Sequence, residues 1–464
     1  MSNNVQEYRL EDCMDAIIDY RGKTPKKTTS GIPLITAKIV KNGRIQEVNE
    51  YIAEEDYDSW MRRGIPETGD IVLTTEAPLG EVAQLDSRKI ALAQRVITLR
   101  GKKELLDNDY LKYLLLSKDV QHQLDGRGTG TTVKGIKQSE LREVILRFPD
   151  FKTQKVVAHH LKTIDEKIEV NRKTNQTLEQ MAQALFKSWF VDFDPVFDNA
   201  LASGMAVNDF PEALQKKALS RQLVQQQITN GELEAKPLPE DSQQLFPSEF
   251  EQTDEPSIGI NGWIPKGWVL SNTDEEFGIK GGSTPSTKNP DFWEGGEIHW
   301  TSPKDLSGND SKILLDTNRK ITEAGLAKIT SGLLPVDTVL MSSRAPVGYL
   351  AFAKVPVAIN QGYIALLCKK TLSPEYTMQF LDSVMDEIKG ISGGTTFAEI
   401  SKKTFRSIKL IVPSKSVVDA YSSIVKAQYD KITENIKQSN TLTDTRDFLL
   451  PKLISGEIVL ENDK

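Results

Sequence analysis

The feature that most constrains the fold of this 464-residue chain is an internal repeat with a period near 264 residues. Residues 22–25 (Gly-Lys-Thr-Pro) match residues 282–285 (Gly-Ser-Thr-Pro), and residues 76–80 match residues 344–348. The offset drifts only between 260 and 268, as loop insertions between two related copies require. Solenoid repeats are about 20–50 residues long, so this period predicts one domain-sized unit that is used twice. Further ordered matches are residues 70–73 with 337–340, Gln94 with Gln361, residues 130–132 with 394–396, and residues 148–149 with 412–413.

Each copy begins with a domain of mixed α and β character, at residues 1–150 and 263–413. Short apolar runs predict a buried strand in each copy, and apolar residues at helical spacing predict a later helix. The fold class expected is therefore α+β, with two tandem mixed α/β domains that are each followed by a long helix. The predicted strands are 70–75 and 336–342, and the predicted helices are 109–123 and 374–389.

The long helix that ends each copy carries a heptad pattern. Residues 152–190 contain no Pro or Gly, and apolar residues recur there at alternating spacings of three and four. The second helix runs from about 415 to 450, and Pro451 is expected to end or kink it. Polar residues interrupt the apolar seam of each helix near its middle, so antiparallel pairing would bring these polar layers together. The alternative is that each helix packs only on its own domain. The residues predicted to pair are Ile164, Ile168, Asn171, Asn175, Leu178, Ile432, Asn435, Ser439 and Leu442.

The net charge of −7 is concentrated in one segment. Residues 191–262 hold 13 Asp and Glu against 4 Lys and Arg, which leaves +2 for the rest of the chain. Residues 196–262 also carry five prolines, so they are interpreted as an acidic linker, with one short helix near 212–228, that tolerates shortening. A near-neutral remainder can still hold basic patches, so the charge does not exclude a nucleic-acid partner.

The sequence carries no convincing active site. Cys13 and Cys368 form neither a disulfide framework nor a metal-binding pair, and no apolar run approaches 18 residues, so a cytoplasmic protein is expected. No GxxxxGK[ST] phosphate loop occurs, residues 289–292 (Asn-Pro-Asp-Phe) lack the second Pro of an amino-methyltransferase signature, and His159-His160 has no Glu at zinc-protease spacing. The prediction is a binding protein with no catalytic residues and no metal ligands. A self-contained nuclease or methyltransferase is the competing class.

Three segments carry a family resemblance. Residues 185–195 (Leu-Phe-Lys-Ser-Trp-Phe-Val-Asp-Phe-Asp-Pro) follow the first helical seam, residues 261–268 (Asn-Gly-Trp-Ile-Pro-Lys-Gly-Trp) open the second half, and residues 451–458 (Pro-Lys-Leu-Ile-Ser-Gly-Glu-Ile) close the second helix. With the duplicated domain-and-helix plan, the chain resembles the specificity (S) subunits of type I restriction–modification enzymes.

The resemblance implies a division of labour within a larger complex. Two target recognition domains would each read one half of an asymmetric bipartite DNA site, and the helices would pair as an antiparallel coiled coil that sets the half-site spacing. Two methyltransferase (M) subunits would dock on the helices, and two restriction/motor (R) subunits would join through them. S-adenosylmethionine, ATP and Mg²⁺ would belong to those partners, and this chain would bind no cofactor and no membrane. The alternative is a coiled-coil scaffold without direct DNA reading. The implied segments are recognition domain 1 (1–150), central helical region (151–195), acidic linker (196–262), recognition domain 2 (263–413) and C-terminal helical region (414–464).

The residues expected to contact DNA are polar or basic and occupy repeat-matched loops. Small residues let backbone amides approach phosphate, and Lys and Arg add charge. Glu76 and Arg344 occupy equivalent positions; a Glu suits cytosine N4 and an Arg suits guanine O6 and N7, so equivalent loops could read different bases. The alternative for each set is an ordinary surface turn or helix cap. The sets are Arg21, Lys23 and Thr24 with Lys280, Ser283 and Thr284; Thr36 and Lys38 with Thr301 and Lys304; Thr75 and Glu76 with Ser343 and Arg344; and Arg127, Thr129, Thr131, Thr132 and Lys134 with Thr395 and Thr396.

Overall fold

A computed structural model of the chain describes residues 5–20, 24–130, 132–234, 238–309, 311–344, 346–394, 398–458 and 460. The chain forms two compact units, each considered by itself below. The first unit is Met1–Asn171 together with Lys437–Lys464, and the second is Arg172–Ile436. Each unit therefore contains a recognition-type domain and a part of both long helices. No helix within the described ranges is long and apolar enough to cross a membrane.

The first unit is built on a four-stranded antiparallel sheet of order β2-β10-β7-β8 and a three-stranded sheet of order β6-β3-β9. Strands β1 and β11 pair with each other, as do β4 and β5. Its strands are β1 Gln6–Arg9, β2 Met14–Asp19, β3 Ile32–Ile35, β4 Val40–Lys41, β5 Arg44–Ile45, β6 Tyr51–Ile52, β7 Ile71–Thr75, β8 Leu79–Gln84, β9 Ala91–Leu92, β10 Val96–Gly101 and β11 Ile145–Phe148. Its helices are α1 Leu10–Cys13, α2 Tyr57–Trp60, α3 Asn108–Leu116, α4 Lys118–Arg127, α5 Gln138–Arg142 and the first part of α6 Phe151–Phe186.

The second unit repeats this plan, with five strands in its main sheet where the first unit has four. Its main sheet has the order β15-β22-β19-β20-β17, its smaller sheet has the order β18-β16-β21, and β14 pairs with β23 and β12 with β13. Its strands are β12 Phe250–Gln252, β13 Trp263–Pro265, β14 Val269–Asn272, β15 Phe277–Lys280, β16 Ile298–Thr301, β17 Ile313–Leu314, β18 Arg319–Ile321, β19 Val339–Ser342, β20 Leu350–Ala353, β21 Val357–Ile359, β22 Tyr363–Cys368 and β23 Lys409–Val412. Its helices are α7 Asp194–Ala202, α8 Glu212–Thr229, α9 Glu240–Gln243, α10 Thr273–Glu276, α11 Glu323–Leu326, α12 Pro374–Ser383, α13 Met385–Gly390, α14 Lys402–Arg406 and most of α15 Lys415–Ser455.

The strand register confirms the repeat and the α+β fold class. In the first unit Ile97 lies opposite Leu73, and in the second Ile364 lies opposite Met341, which is the same pairing at offsets of 267 and 268. The predicted strands appear as β7 and β19, and every residue of both is buried. A run that is apolar on both faces suits a central strand covered on both sides.

Each predicted domain helix is interrupted. Residues 109–123 fall on α3 and α4, because Ser117 takes an extended conformation and its hydroxyl caps the backbone N–H of Val120. Residues 374–389 fall on α12 and α13, which meet at Val384. Apolar residues keep their helical spacing across both breaks, so the sequence pattern could not reveal where each helix is interrupted.

The long helices pair antiparallel within each unit. In the first unit Asn171 contacts Ser439 while Asp165 contacts Arg446. In the second unit Asn435 contacts Asn175. In these contacts the residue number on α15 rises as the residue number on α6 falls. The two helices therefore run antiparallel, as predicted. The outer turns also pack on the domains, since Val157 and Leu161 join the core of the first; pairing and domain packing therefore both occur.

Helix α15 does not end at Pro451, so the first of the two outcomes expected there, an end or a kink, is wrong. It continues to Ser455. Proline removes one backbone hydrogen bond and crowds the preceding turn, but Leu453 is buried in the core of the first unit, with Leu449, Leu450 and Ile454 packed beside it. Apolar burial over these two turns offsets the loss.

Residues 196–262 do not form a loose linker, which corrects a second prediction. They fold as α7, α8, α9 and the β12–β13 hairpin, and α8 is the predicted short helix. Phe197, Phe210, Leu214 and Phe246 are buried in the core of the second unit. Prolines precede helices here: Pro211 and Pro239 are the N-caps of α8 and α9. Proline at a helix start costs no internal hydrogen bond, so its abundance misled the linker interpretation.

Candidate nucleic-acid interface

One hydrogen bond fixes the first predicted loop of each unit. The side-chain amide of Gln94 donates to Thr24 Oγ1 at 2.9 Å, and Thr284 Oγ1 donates to Gln361 Oε1 at 2.7 Å. In both loops the Thr is exposed and the Pro that follows it is buried. The loop is thus anchored by its proline while the threonine faces solvent.

A hairpin crosses the end of the central strand in each unit. In the first unit Thr129 and Gly135 exchange backbone hydrogen bonds of 2.8 and 2.9 Å, and the N–H of Ile136 donates to the carbonyl of Thr75 at 2.9 Å. In the second unit Gly393 and Glu399 exchange bonds of 3.0 and 2.8 Å, and the N–H of Ile400 donates to Ser343 at 3.0 Å. The same backbone scaffold therefore presents two different sets of side chains.

Glu76 and Arg344 occupy equivalent places on this scaffold with opposite charge. The backbone of Glu76 forms an antiparallel β-bridge with Gly135. The backbone of Arg344 forms the same bridge with Glu399, at the matching position of the second hairpin. Glu76 lies 3.6 Å from Arg95, and Arg344 lies 4.0 Å from Glu399, with all four side chains substantially exposed. Exposed ion pairs of this kind contribute about 0–1 kcal/mol. Both groups can therefore exchange their protein partner for a polar ligand at little cost.

Four predicted contact residues are buried, which corrects their assignment. The exposed fractions are 9 % for Thr36, 2 % for Thr75, 0 % for Thr301 and 4 % for Ser343. Thr301 Oγ1 lies 3.2 Å from the hydroxyl of Tyr363 inside the domain. A buried hydroxyl cannot reach a base edge or a phosphate, so these four side chains support the loops and are removed from the predicted contacts.

The pairing of Thr36 with Thr301 is also shifted by one residue. The carbonyl of Ile35 accepts from Ala93, and the carbonyl of Thr301 accepts from Asn360, so Thr301 corresponds to Ile35. Thr36 then corresponds to Ser302, since each accepts from the N–H three residues later. The match between Lys38 and Lys304 stands at the same offset of 266, and both are exposed.

The other predicted residues are divided among exposed, paired and undescribed positions. Lys280, Thr129 and Thr132 are exposed. Lys134 pairs with Asp125 at 2.6 Å and Arg127 with Glu140 at 3.4 Å. Arg21, Lys23, Thr131, Thr395 and Thr396 lie outside the described residues.

The comparisons with known proteins match this duplicated architecture. The family model for the type I restriction modification DNA specificity domain matches residues 3–180 and, a second time, residues 265–442. The chain belongs to this family. The two matched segments have equal length, and each holds one of the repeated loop scaffolds.

Relatives with the same description support the membership. The type I restriction enzyme HindI specificity subunit of Haemophilus influenzae is 28 % identical over 359 residues, which cover 75 % of this chain and 77 % of that protein. The MjaIX specificity subunit of Methanocaldococcus jannaschii is 34 % identical over 199 residues, 42 % of this chain and 44 % of that protein. A crystal structure of a type I restriction–modification S subunit from M. genitalium is similar in fold, with a TM-score of 0.54, 16 % identity, and coverage of 98 % and 96 %.

The helical seam of this specificity-domain protein holds a polar layer in each unit. In the first unit Asn171 Nδ2 donates to Gln438 Oε1 at 2.8 Å and to Ser439 Oγ at 3.2 Å. In the second unit Asn435 Nδ2 donates to Asn175 Oδ1 at 2.8 Å. Both donors are buried, so shifting the register would break hydrogen bonds between shielded groups, which is costly. Of the other residues predicted to pair, Ile432 is buried, and Ile164, Ile168, Leu178 and Leu442 are half-buried.

A buried carboxylate ties the first recognition domain to both helices. Asp165 on α6 accepts from Lys112 Nζ at 2.6 Å, from Tyr113 Oη at 2.8 Å and from Arg446 Nη1 at 2.9 Å. Burial by itself raises the pKa of Asp165, but the cations of Lys112 and Arg446 outweigh it and hold that pKa below its ordinary value. The carboxylate is therefore ionised at neutral pH and joins α3, α6 and α15.

Two hydroxyl residues that sequence matching placed beside the predicted contacts support these loops from within the domain. Thr74 Oγ1 accepts from the N–H of Glu81 at 2.9 Å, and Ser342 Oγ accepts from the N–H of Tyr349 at 2.8 Å, at one common offset of 268. Gln94 and Gln361 were visible as a repeat match but not as partners of the Thr loops. Small hydroxyl residues that match at a constant offset, at the end of a predicted buried strand, are the signal that would find such supports.

Proposed function

We propose that this chain is the noncatalytic DNA-reading subunit of a type I restriction–modification system, in which each recognition domain reads one half of an asymmetric bipartite site. The observation that carries the proposal is the repeated loop scaffold, which keeps its backbone hydrogen bonds and changes its side chains. A constant frame with variable side chains suits a duplicated reader, because backbone contacts position a protein on DNA and side chains at base edges specify the sequence.

Glu76 and Arg344 supply the asymmetry in this proposal. A carboxylate accepts from the N4 amino group of cytosine, and a guanidinium donates to O6 and N7 of guanine. Because the two residues occupy equivalent backbone positions, the two half-sites would differ where these loops meet the bases. Lys38 and Lys304, which are exposed at matched positions, would contribute contacts to phosphate.

The paired helices would set the spacing of the half-sites and carry the partners. Apolar side chains remain exposed on the helices away from the seam: Val170, Met181, Ile424 and Phe448. Two methyltransferase subunits would dock on these helix faces, with two motor-nuclease subunits joining through them. S-adenosylmethionine, ATP and Mg²⁺ would bind to those partners, and adenine N6 methylation and cleavage would be their chemistry.

Methylome sequencing tests the proposal. Cells that express this chain with its methyltransferase partner should carry one bipartite methylated motif that depends on the chain. Glu76→Gln should relax or change only one half of that motif, and Arg344→Gln only the other. Glu104→Gln is the matched control, because Glu104 is exposed in the loop at the opposite end of β10; it should leave the motif unchanged. A motif that does not depend on the chain, or one variant that alters both halves, would overturn the proposal.

A gel shift separates DNA reading from a scaffold role. The chain with its methyltransferase partner should retard duplex DNA that contains the motif, and a duplex with one half-site scrambled should bind much more weakly at 150 mM salt. Equal binding to both duplexes would favour the scaffold.

A further inference from the structure

The second recognition domain carries a cation stacked on an aromatic platform. The guanidinium carbon of Arg319 lies 3.4 Å from the ring centroid of Trp293 and 5.7 Å from that of Trp300. The two indole rings meet edge to face with centroids 5.1 Å apart. Trp293 donates to the carbonyl of Ser286 at 3.0 Å, and Trp300 donates to the carbonyl of Ser283 at 3.3 Å. Fixed rings therefore hold the guanidinium in one orientation.

This platform is joined to a loop already predicted to face DNA. The Ser283 carbonyl that accepts from Trp300 precedes the exposed Thr284, and Ser283 Oγ donates to the carbonyl of Lys328 at 3.1 Å. Arg319 lies on β18, the edge strand of the β18-β16-β21 sheet, and its side chain is exposed. The cation and the Thr284 loop thus belong to one surface of the domain.

Among its described residues, the first domain has no such stack at the equivalent place. Arg319 lies opposite Trp300, and in the first unit Glu50 lies opposite Leu34 with the same strand pairing. Glu50 forms an ion pair with Lys27 at 2.8 Å. The offset between the units rises from 260 at Thr284 to 266 at Trp300, so six extra residues, in the segment that contains Trp293, precede β16. The platform is an addition particular to one half of the repeat.

The guanidinium of Arg319 has no carboxylate partner within the described part of the chain. Arg319 forms no ion pair there, and the nearby carboxylate of Asp316 contacts His299 at 3.2 Å and Lys320 at 3.7 Å. Stacking on an indole orients a guanidinium and leaves the N–H groups at its edge free to donate. A guanidinium that is oriented by an indole and has no carboxylate partner among the described residues, on an exposed edge, fits an external acceptor with two atoms in one plane.

We propose that Arg319, oriented by Trp293, donates two parallel hydrogen bonds to DNA at the second half-site, either to O6 and N7 of a guanine or to two oxygens of a phosphate. This inference rests on the proposed function, and it assigns to the second domain a contact that the first domain lacks.

The test measures DNA affinity and methylation motif for the complex of this chain with its methyltransferase partner. Arg319→Ala should weaken binding on the order of tenfold. Arg319→Lys should restore only part of that loss, because it keeps the charge without the planar fork. Trp293→Leu should give an intermediate loss, since the cation stays but is no longer oriented. Lys320→Ala, which removes a neighbouring charge from the same strand, should stay within twofold of the unmodified complex.

Two outcomes identify the acceptor, and both support the proposal. Loss of preference at one position of the second half-site identifies a guanine. An unchanged motif, with weaker binding to all sequences and a salt dependence shallower by about one unit in log–log slope, identifies a phosphate. The inference is overturned if Arg319→Ala keeps affinity, slope and motif, or if Lys320→Ala loses as much as Arg319→Ala. If the unmodified complex itself fails to discriminate its motif, the proposed function fails instead.

Discussion

At the scale of single residues, Asp165 shows how a recognition domain is fastened to the helical seam. One carboxylate accepts from a lysine and a tyrosine on α3 and from an arginine on α15. The side chains of Asp165, Lys112 and Arg446 are each about one-fifth exposed or less. Because the network is largely shielded, removing its central charge takes this counter-ion from Lys112 and leaves Arg446 paired with the exposed Asp447.

Asp165→Asn should lower the free energy of unfolding of the first unit by about 2–4 kcal/mol at pH 7. The folded-state pKa of Asp165 is lowered, so its stabilisation is complete above the ordinary aspartate pKa of about 4 and is lost as pH falls through the lowered value. Urea unfolding at pH 7 and at pH 3 checks this: the difference between variant and unmodified protein should shrink in acid. Glu166→Gln, next to it but exposed, should stay within about 0.5 kcal/mol. A constant difference between the two pH values would contradict the assignment.

Single residues also show where sequence matching reaches its limit. Glu76 and Arg344 could be aligned because Ala-Pro and Gly flank both at fixed spacing. Thr36 was aligned with Thr301 rather than with its true counterpart Ser302. Both candidates carry a hydroxyl, and the identical residue type was chosen, which is one residue off. Only the strand hydrogen bonds set that register. Burial of Thr75 and Ser343 depends on hairpins that lie 50 or more residues further along the chain, which local pattern does not contain.

At the scale of elements, α8 shows packing overriding composition. It lies in the most acidic part of the chain, yet Leu214 and Ala218 are buried in the core of the second unit. Arg221 on the same helix pairs with Asp198 on α7 at 2.6 Å, so part of the acidity is neutralised locally. The heptad seams, in contrast, were readable from sequence because their period persists over many turns.

Leu214→Ala should destabilise the second unit by about 2–5 kcal/mol, because it leaves a cavity in a closed core. Leu219→Ala on the same helix is the control; Leu219 is 48 % exposed, and its truncation should cost about 0.5 kcal/mol or less. Thermal unfolding of both variants measures the difference. Equal stability would mean that 196–262 behaves as a linker after all.

Ile432→Asp should disrupt the seam, because it places an unpaired charge at a buried position of α15 and costs more than about 3 kcal/mol. Loss of methyltransferase binding should follow, measured by sedimentation of the mixed subunits. Thr441→Asp, at an exposed position of the same helix outside the proposed docking residues, should leave both the unfolding temperature and partner binding near those of the unmodified protein. If Ile432→Asp still binds its partner normally, the paired helices are not what the partner recognises.

At the scale of the whole molecule, we propose that two diverged domains read two half-sites and that the paired helices set the gap between them. The sequence could predict the duplication and the antiparallel seam, because both repeat over long distances. It could not predict that α15 continues through Pro451 or that the Trp293 platform forms, since both depend on contacts between separate segments, and it missed the break at Ser117 because apolar spacing continues across that residue.

The most direct test is the methylation motif of a chain with one extra heptad in each helix, inserted after Thr174 in α6 and after Ile436 in α15. Seven residues add about 10 Å of helix and keep the heptad phase, so the polar layers can re-form. With base pairs about 3.4 Å apart, the gap between half-sites should lengthen by about three base pairs, and both half-site sequences should stay as they were. Methylome sequencing that finds the original gap, or altered half-sites, would contradict the account.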